Sequence, residues 1–125
     1  MSKPIDCYKY VGAGNDFVIF ENWNGDLKLT VQQIVSICDR HFGIGADGIL
    51  ILQPHNSADF QMNYFNADGS RGEMCGNGAR CLVSFAEFLG RAKSSGTFSA
   101  DDGIHYYSIH GDLVDVEIIV NGELQ

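Results

Sequence analysis

Basic residues are scarce in this chain: 8 Lys and Arg stand against 16 Asp and Glu among 125 residues, a formal net charge of -8. No basic stripe or arginine cluster is present that would neutralise a phosphate backbone, so nucleic acid is not an expected partner. Proline is scarcer still, with 2 residues, and an apolar share of 45% sets the chain apart from disordered sequences. No apolar run approaches the roughly 18 residues of a membrane span, and the start, Met-Ser-Lys-Pro-Ile-Asp-Cys, lacks the apolar centre of a signal peptide. The expectation is a cytoplasmic protein with no membrane partner. No Cys-x-x-Cys pair occurs among the 4 cysteines, and Cys38 with His41 supplies only two ligands, so no metal site is expected. Without secretory context the cysteines read as free thiols, Cys7 and Cys38 as small buried hydrophobes.

What is present suffices for one domain, residues 1–125, with a core of its own. Ile5 to Val11 is rich in strand formers, Gly12 to Asp16 interrupts it, and Phe17 to Phe20 resumes it, a strand-loop-strand pattern. Thr30 is an expected N-cap with Gln33 three places on, opening a helix over 31–41. Gly43 to Gly48 ends it before Ile49 to Leu52, a run too short for a helix that reads as a buried strand, paired as a hairpin with Ala58 to Phe65. A second helix, 77–89, is apolar on nearly every side and belongs in the middle of the molecule. Strands at Thr97 to Ala100, Ile104 to His110 and Leu113 to Val120 are there to wrap it, and Gly90 to Gly96 reads as a flexible polar connection. The fold class is α+β: an antiparallel sheet rolled around a central buried helix.

Three loops combine glycine with hydrogen-bonding side chains: Gly12 to Asp16, Gly43 to Gly48 and Asn66 to Gly78. None is a P-loop, and Gly12-x-Gly14 lacks the third glycine of a dinucleotide fingerprint, so no nucleotide cofactor is indicated. Cys75 stands where the third loop meets the central helix, and the unpaired first-turn N–H groups there favour a thiolate over a thiol. The same groups suit a carboxylate, so a base and an anion clamp would lie side by side, as removal of a proton next to a carboxylate requires. On the residues alone, Cys75 reads equally as a reactive thiolate or as a structural cap. Cys81, about 240° further round the helix, reads as core. Arg80 is expected to anchor a carboxylate or a loop carbonyl rather than to act in catalysis. The four histidines have no partner pattern.

Three motifs in order resemble those of the diaminopimelate epimerases: Gly12-x-Gly14-Asn15-Asp16-Phe17, Arg40-x-Phe42-Gly43-Ile44-Gly45-Ala46-Asp47-Gly48, and Asn66-Ala67-Asp68-Gly69-Ser70 through Cys75-Gly76-Asn77-Gly78-Ala79-Arg80-Cys81. The resemblance implies the α/β roll of that family, in which two similar domains face each other across a cleft. Each gives one catalytic cysteine to a cofactor-independent interconversion of L,L- and meso-diaminopimelate in lysine biosynthesis. By position, Cys75 matches the catalytic cysteine of the amino-terminal domain, Gly76 and Asn77 the clamp on the substrate carboxylate, and Asn15 and Asn66 side chains that hold the substrate. At position 48 some members carry a glutamine that touches substrate; Gly48 lacks that contact.

The second Ala-Cys-Gly-(Thr/Ser)-Gly motif and its preceding Glu-Arg-Gly segment are absent. One thiol cannot stand on both faces of a carbon, so the expectation is half an active site. The chain, an isomerase domain without pyridoxal phosphate, would be inactive unless a second epimerase domain joins it in cis or in trans. A proline racemase-like or other isomerase of the same fold is the alternative within enzymes. A noncatalytic module that binds an amino acid or assembles with a partner is the alternative outside them.

Overall fold

The computed structural model describes residues 5–73, 75–117, 119–120 and 123–124. In chain order the elements are β1 (Tyr8–Gly12), β2 (Asn15–Glu21), α1 (Val31–Cys38), β3 (Gly48–Gln53), β4 (Phe60–Asn66), α2 (Gly76–Phe88), β5 (Ser95–Ala100), β6 (Gly103–His110), β7 (Leu113–Val116), and a two-residue pair, β8 (Ile119–Val120) with β9 (Glu123–Leu124). The first seven strands form one sheet in the order in which the chain makes them. The sheet curls around α2, which packs against β1, β2, β3, β4 and β7.

The expected roll around one helix is therefore present, but the sheet is mixed rather than wholly antiparallel. β2 pairs with β3, and β4 with β5, in parallel. The connections explain this, because parallel neighbours need a crossover and the two helices are the crossovers: α1 joins β2 to β3 and α2 joins β4 to β5. The remaining neighbours are hairpins. In the first, Gly12 pairs with Asn15 across the two-residue loop Ala13-Gly14, and Gly14 takes φ 87°, a conformation that side-chain-bearing residues rarely adopt.

The two continuous apolar runs are explained by burial on both faces. Phe17 and Ile19 of β2 and Leu50 and Leu52 of β3 face inward with Phe60, Met62, Leu82 and Phe85. Their neighbours Val18, Phe20, Ile49 and Ile51 face outward, where Ile34 and Cys38 of α1 cover them. Thr30 caps α1 as expected: its Oγ1 accepts from Gln33 N at 3.1 Å, and Gln33 Oε1 accepts from Thr30 N at 2.8 Å. The helix ends at Cys38 rather than at residue 41, because the Asp39 carboxylate takes the N–H groups of His41 and Phe42 at 2.8 and 2.9 Å and draws them out of the helical ladder.

The connection after α2 is anchored rather than free. Arg91 N donates to Ala86 O at 2.7 Å, and its guanidinium lies 4.2 Å from the centre of the Trp23 ring. Lys93 N donates to Tyr107 Oη at 3.2 Å, and Tyr107 in turn donates to Asp59 at 2.7 Å. Burial, and then the Asp59 carboxylate, push the Tyr107 phenol up to about 12. The expected last strand, Leu113 to Val120, stops at Val116, and Ile118 lies outside the described residues. Cys38 and Cys81 are buried while Cys7 is only half-buried, and all four cysteines are free. Phe88, expected inside with the rest of α2, is exposed at the helix end.

Candidate active site

Cys75 is the N-cap residue of α2, with extended backbone (φ -119°, ψ 122°) and a half-buried side chain that makes no capping bond. Its carbonyl accepts from Ala79 N at 2.8 Å, which closes the first turn. The N–H groups of Gly76, Asn77 and Gly78, which an α-helix leaves without internal partners, are not taken up by the thiol. Gly78 brings the turn against the core: a Cβ there would stand 3.4 Å from Leu50 Cδ2 and 3.4 Å from Phe17 Cζ. Cys81 lies inside the roll, against Gly12, and burial pushes its thiol up, as suits an inert core cysteine.

The three glycine-bearing loops meet here. Asn77 Nδ2 donates to Ala13 O at 3.2 Å and to Asn15 Oδ1 at 2.8 Å, fastening the start of α2 to the β1–β2 turn. Asn15 Nδ2 donates to Asp47 Oδ2 at 3.2 Å, and Ala67 N donates to Asp47 O at 3.2 Å. Asn66 lies in the third loop, where its Nδ2 donates to Ser70 Oγ at 3.1 Å and its backbone N–H to Ser70 O at 2.8 Å. Arg71 fixes the far side of that loop, with its guanidinium over Phe65, a bond to Asn63 at 3.2 Å and an ion pair to Asp101. Cys75, Gly76, Asn77 and Asn15 are thus joined through one hydrogen-bonded corner, while Asn66 reaches it through the Ala67–Asp47 backbone contact.

Reasoning from motifs assigned no role to the charges that hold this corner. Arg40 grips Asp16 through two bonds of 2.9 Å and reaches Asp47 at 3.1 Å, and Lys9 stands 3.1 Å from Asp16. The aspartates also take each other's backbone: Asp16 N donates to Asp47 Oδ2 and Asp47 N to Asp16 Oδ1, both at 3.0 Å. Bonds from Arg40, and then from Lys9, hold the Asp16 carboxyl well below the usual carboxylate range. The signal available in the sequence was that acidic or basic residues flank the glycines of both loops. Arg80, expected to meet a carboxylate or a loop carbonyl, instead donates to the side-chain oxygen of Asn77 within its own helix.

Tyr64 packs beside the site. Its ring stands edge-on to Phe17, centroids 5.9 Å apart, and burial raises its phenol. His105 is buried in β6, its Nε2 2.6 Å from Asp102 of the β5–β6 turn and its Nδ1 2.9 Å from Glu117 O, remote in the chain from the three loops. Among the described residues no group of three or more His, Cys, Asp or Glu is placed to hold a metal ion, and no helix is long and apolar enough to cross a membrane. A groove of about 710 Å³ beside α1, lined by Ile5, Phe20, Gln33 and Ile37 among others, contains none of the candidate residues.

The family model for diaminopimelate epimerase matches residues 7–120. The diaminopimelate epimerase of Flavobacterium psychrophilum is 45% identical over 116 residues, covering 89% of this chain and 44% of its own length. That of Chlorobaculum tepidum is 53% identical over 79 residues, covering 63% and 31%. The chain thus spans less than half the length of these relatives. Among solved structures, a methylitaconate-delta-isomerase superposes with a TM-score of 0.66 at 15% identity, over 94% of this chain and 38% of its own. A Bacillus anthracis phenazine biosynthesis protein of the PhzF family gives 0.61 at 19%, over 90% and 38%. At such identities these two speak for the fold alone, whereas the family model covers nearly the whole sequence: the chain belongs to the diaminopimelate epimerase family.

Proposed function

We propose that residues 1–125 form the amino-terminal half of a diaminopimelate epimerase, an isomerase of lysine biosynthesis working in the cytoplasm without pyridoxal phosphate or any other cofactor. The observation that carries this reading is the place of Cys75, capping α2 without spending its sulfur on the helix and next to N–H groups open to a carboxylate. The thiolate of Cys75 removes the α-proton of the amino acid. The electron pair left on carbon spreads into the carboxylate, whose oxygens gain charge against the amides of Gly76 and Asn77. Asn15 and Asn66 hold the substrate by their side chains. A thiol on a second domain, in cis or in trans, returns a proton from the opposite face, so the first half alone does not turn over.

The test is a pair of substitutions in a protein that carries both halves. Cys75→Ser abolishes turnover, and with it exchange of the α-proton in deuterated water, while the protein stays folded. Cys81→Ser, in the core, lowers thermal stability and leaves most of the activity. Near-full activity in both variants overturns the assignment.

A further inference from the structure

The corner that joins the loops has a direction. Arg80 donates to Asn77 Oδ1, Asn77 Nδ2 donates to Asn15 Oδ1, and Asn15 Nδ2 donates to Asp47 Oδ2. A carboxamide is ambiguous on its own, since either end satisfies a polar neighbour after a half-turn about its last bond. The two ends of this chain are not ambiguous. A guanidinium can only donate and an ionised carboxylate can only accept, so each end admits one orientation of the amide next to it. The Ala13 carbonyl, also acceptor-only, receives Asn77 Nδ2 at 3.2 Å and agrees with that orientation.

The geometry points to Asp47 and Arg80 as positioning residues: the two ends of a one-way hydrogen-bond chain that fixes which face of the Asn15 and Asn77 side chains donates and which accepts. Arg40 serves the chain by holding the Asp47 carboxylate at 3.1 Å, and the Asp16 N–H, at 3.0 Å, leaves that carboxylate no freedom to turn away. One N–H of Asn15 and one lone pair of its oxygen remain outside the chain, in fixed places. An amino acid carries an ammonium donor and a carboxylate acceptor on the same carbon, and a reversed amide would present the wrong partner to each. That consequence for the substrate rests on the proposed function; the amide orientations do not.

The experiment therefore reads the amides without substrate. In the ¹⁵N-labelled 125-residue chain, the side-chain NH₂ proton of Asn15 bonded to the Asp47 carboxylate is displaced downfield and protected from exchange. In Asp47→Asn the displacement is lost and exchange with solvent becomes roughly tenfold faster, as expected for loss of a bond to a charged group. Arg80 is exposed, so its variants fold even if Asp47→Asn does not. Arg80→Gln, whose side chain both donates and accepts, shifts the Asn77 NH₂ pair and, through it, that of Asn15, whereas Arg80→Lys, donor-only like arginine, keeps the native signals. Spectra of Arg80→Gln in which both asparagine pairs superpose on wild type overturn the inference, as does an unchanged Asn15 pair in folded Asp47→Asn. Absence of α-proton exchange in the unsubstituted two-half enzyme, with these signals intact, counts against the proposed function instead.

Discussion

At the scale of single residues, the ring of Tyr64 is clasped by two glycines. A Cβ at Gly48 would stand 2.6 Å from Tyr64 Cε1 and 2.6 Å from Phe65 O, and one at Gly72 would stand 2.5 Å from Tyr64 Cδ2. Because Gly72 lies in the loop that leads to Cys75, the ring sets the approach of that loop to the sheet. A glutamine at position 48 has no room here while the Phe65 carbonyl and the Tyr64 ring stay in place. Gly48→Ala is therefore expected to cost about 1–3 kcal/mol through forced displacement of its neighbours. Urea denaturation measures this directly, and an unchanged midpoint would show that the neighbours yield without strain.

Among the elements, α1 is the one whose boundaries rest on few, identifiable bonds. Thr30→Ala removes one half of its capping box and is expected to lower stability by about 1 kcal/mol, a fall of roughly 4 °C in Tm by thermal denaturation. A fall that also appears for Val35→Ala, an exposed position on the same helix, would assign the effect to something other than the cap. The start of α1 was legible because Thr30 and Gln33 state it locally. Its end was not, because Asp39 competes for the same N–H groups with a side chain, and helical spacing of apolar residues continues past it to Phe42. The strands Phe17 to Phe20 and Ile49 to Leu52 were legible from composition, but an apolar run carries no sign of direction, and the parallel pairing of β2 with β3 follows only from the crossover that α1 makes. In the candidate site, Cys75, Asn15 and Asn77 were singled out through motifs. The bonds of Arg40 to Asp16 and of Asn77 to Asn15 join residues 24 and 62 places apart, with no local period to announce them.

For the molecule as a whole, the Lys9–Asp16–Arg40–Asp47 cluster joins the first hairpin to the loop after α1, and it makes folding sensitive to acid. Asp16 has a carboxyl well below the usual range in the folded chain. The native state therefore binds fewer protons than the unfolded chain once pH approaches the ordinary Asp value near 3.9. The contribution is complete above about pH 5 and is lost as pH falls through that value and beyond. Asp16→Asn, which cannot lose a proton, flattens this acid limb; urea midpoints between about pH 3 and 7 for the two proteins measure it, and parallel limbs would remove Asp16 as the cause.

Because α2 is at once the filling of the roll and the stem that carries Cys75, the candidate site and the interior share one axle. Leu82 and Phe85, wholly enclosed and about two and three turns beyond the thiol, set the depth and pitch at which that stem sits. Damage deep inside the roll is consequently transmitted along the helix to the Cys75 sulfur, and a variant far from the three loops can misplace it without touching them.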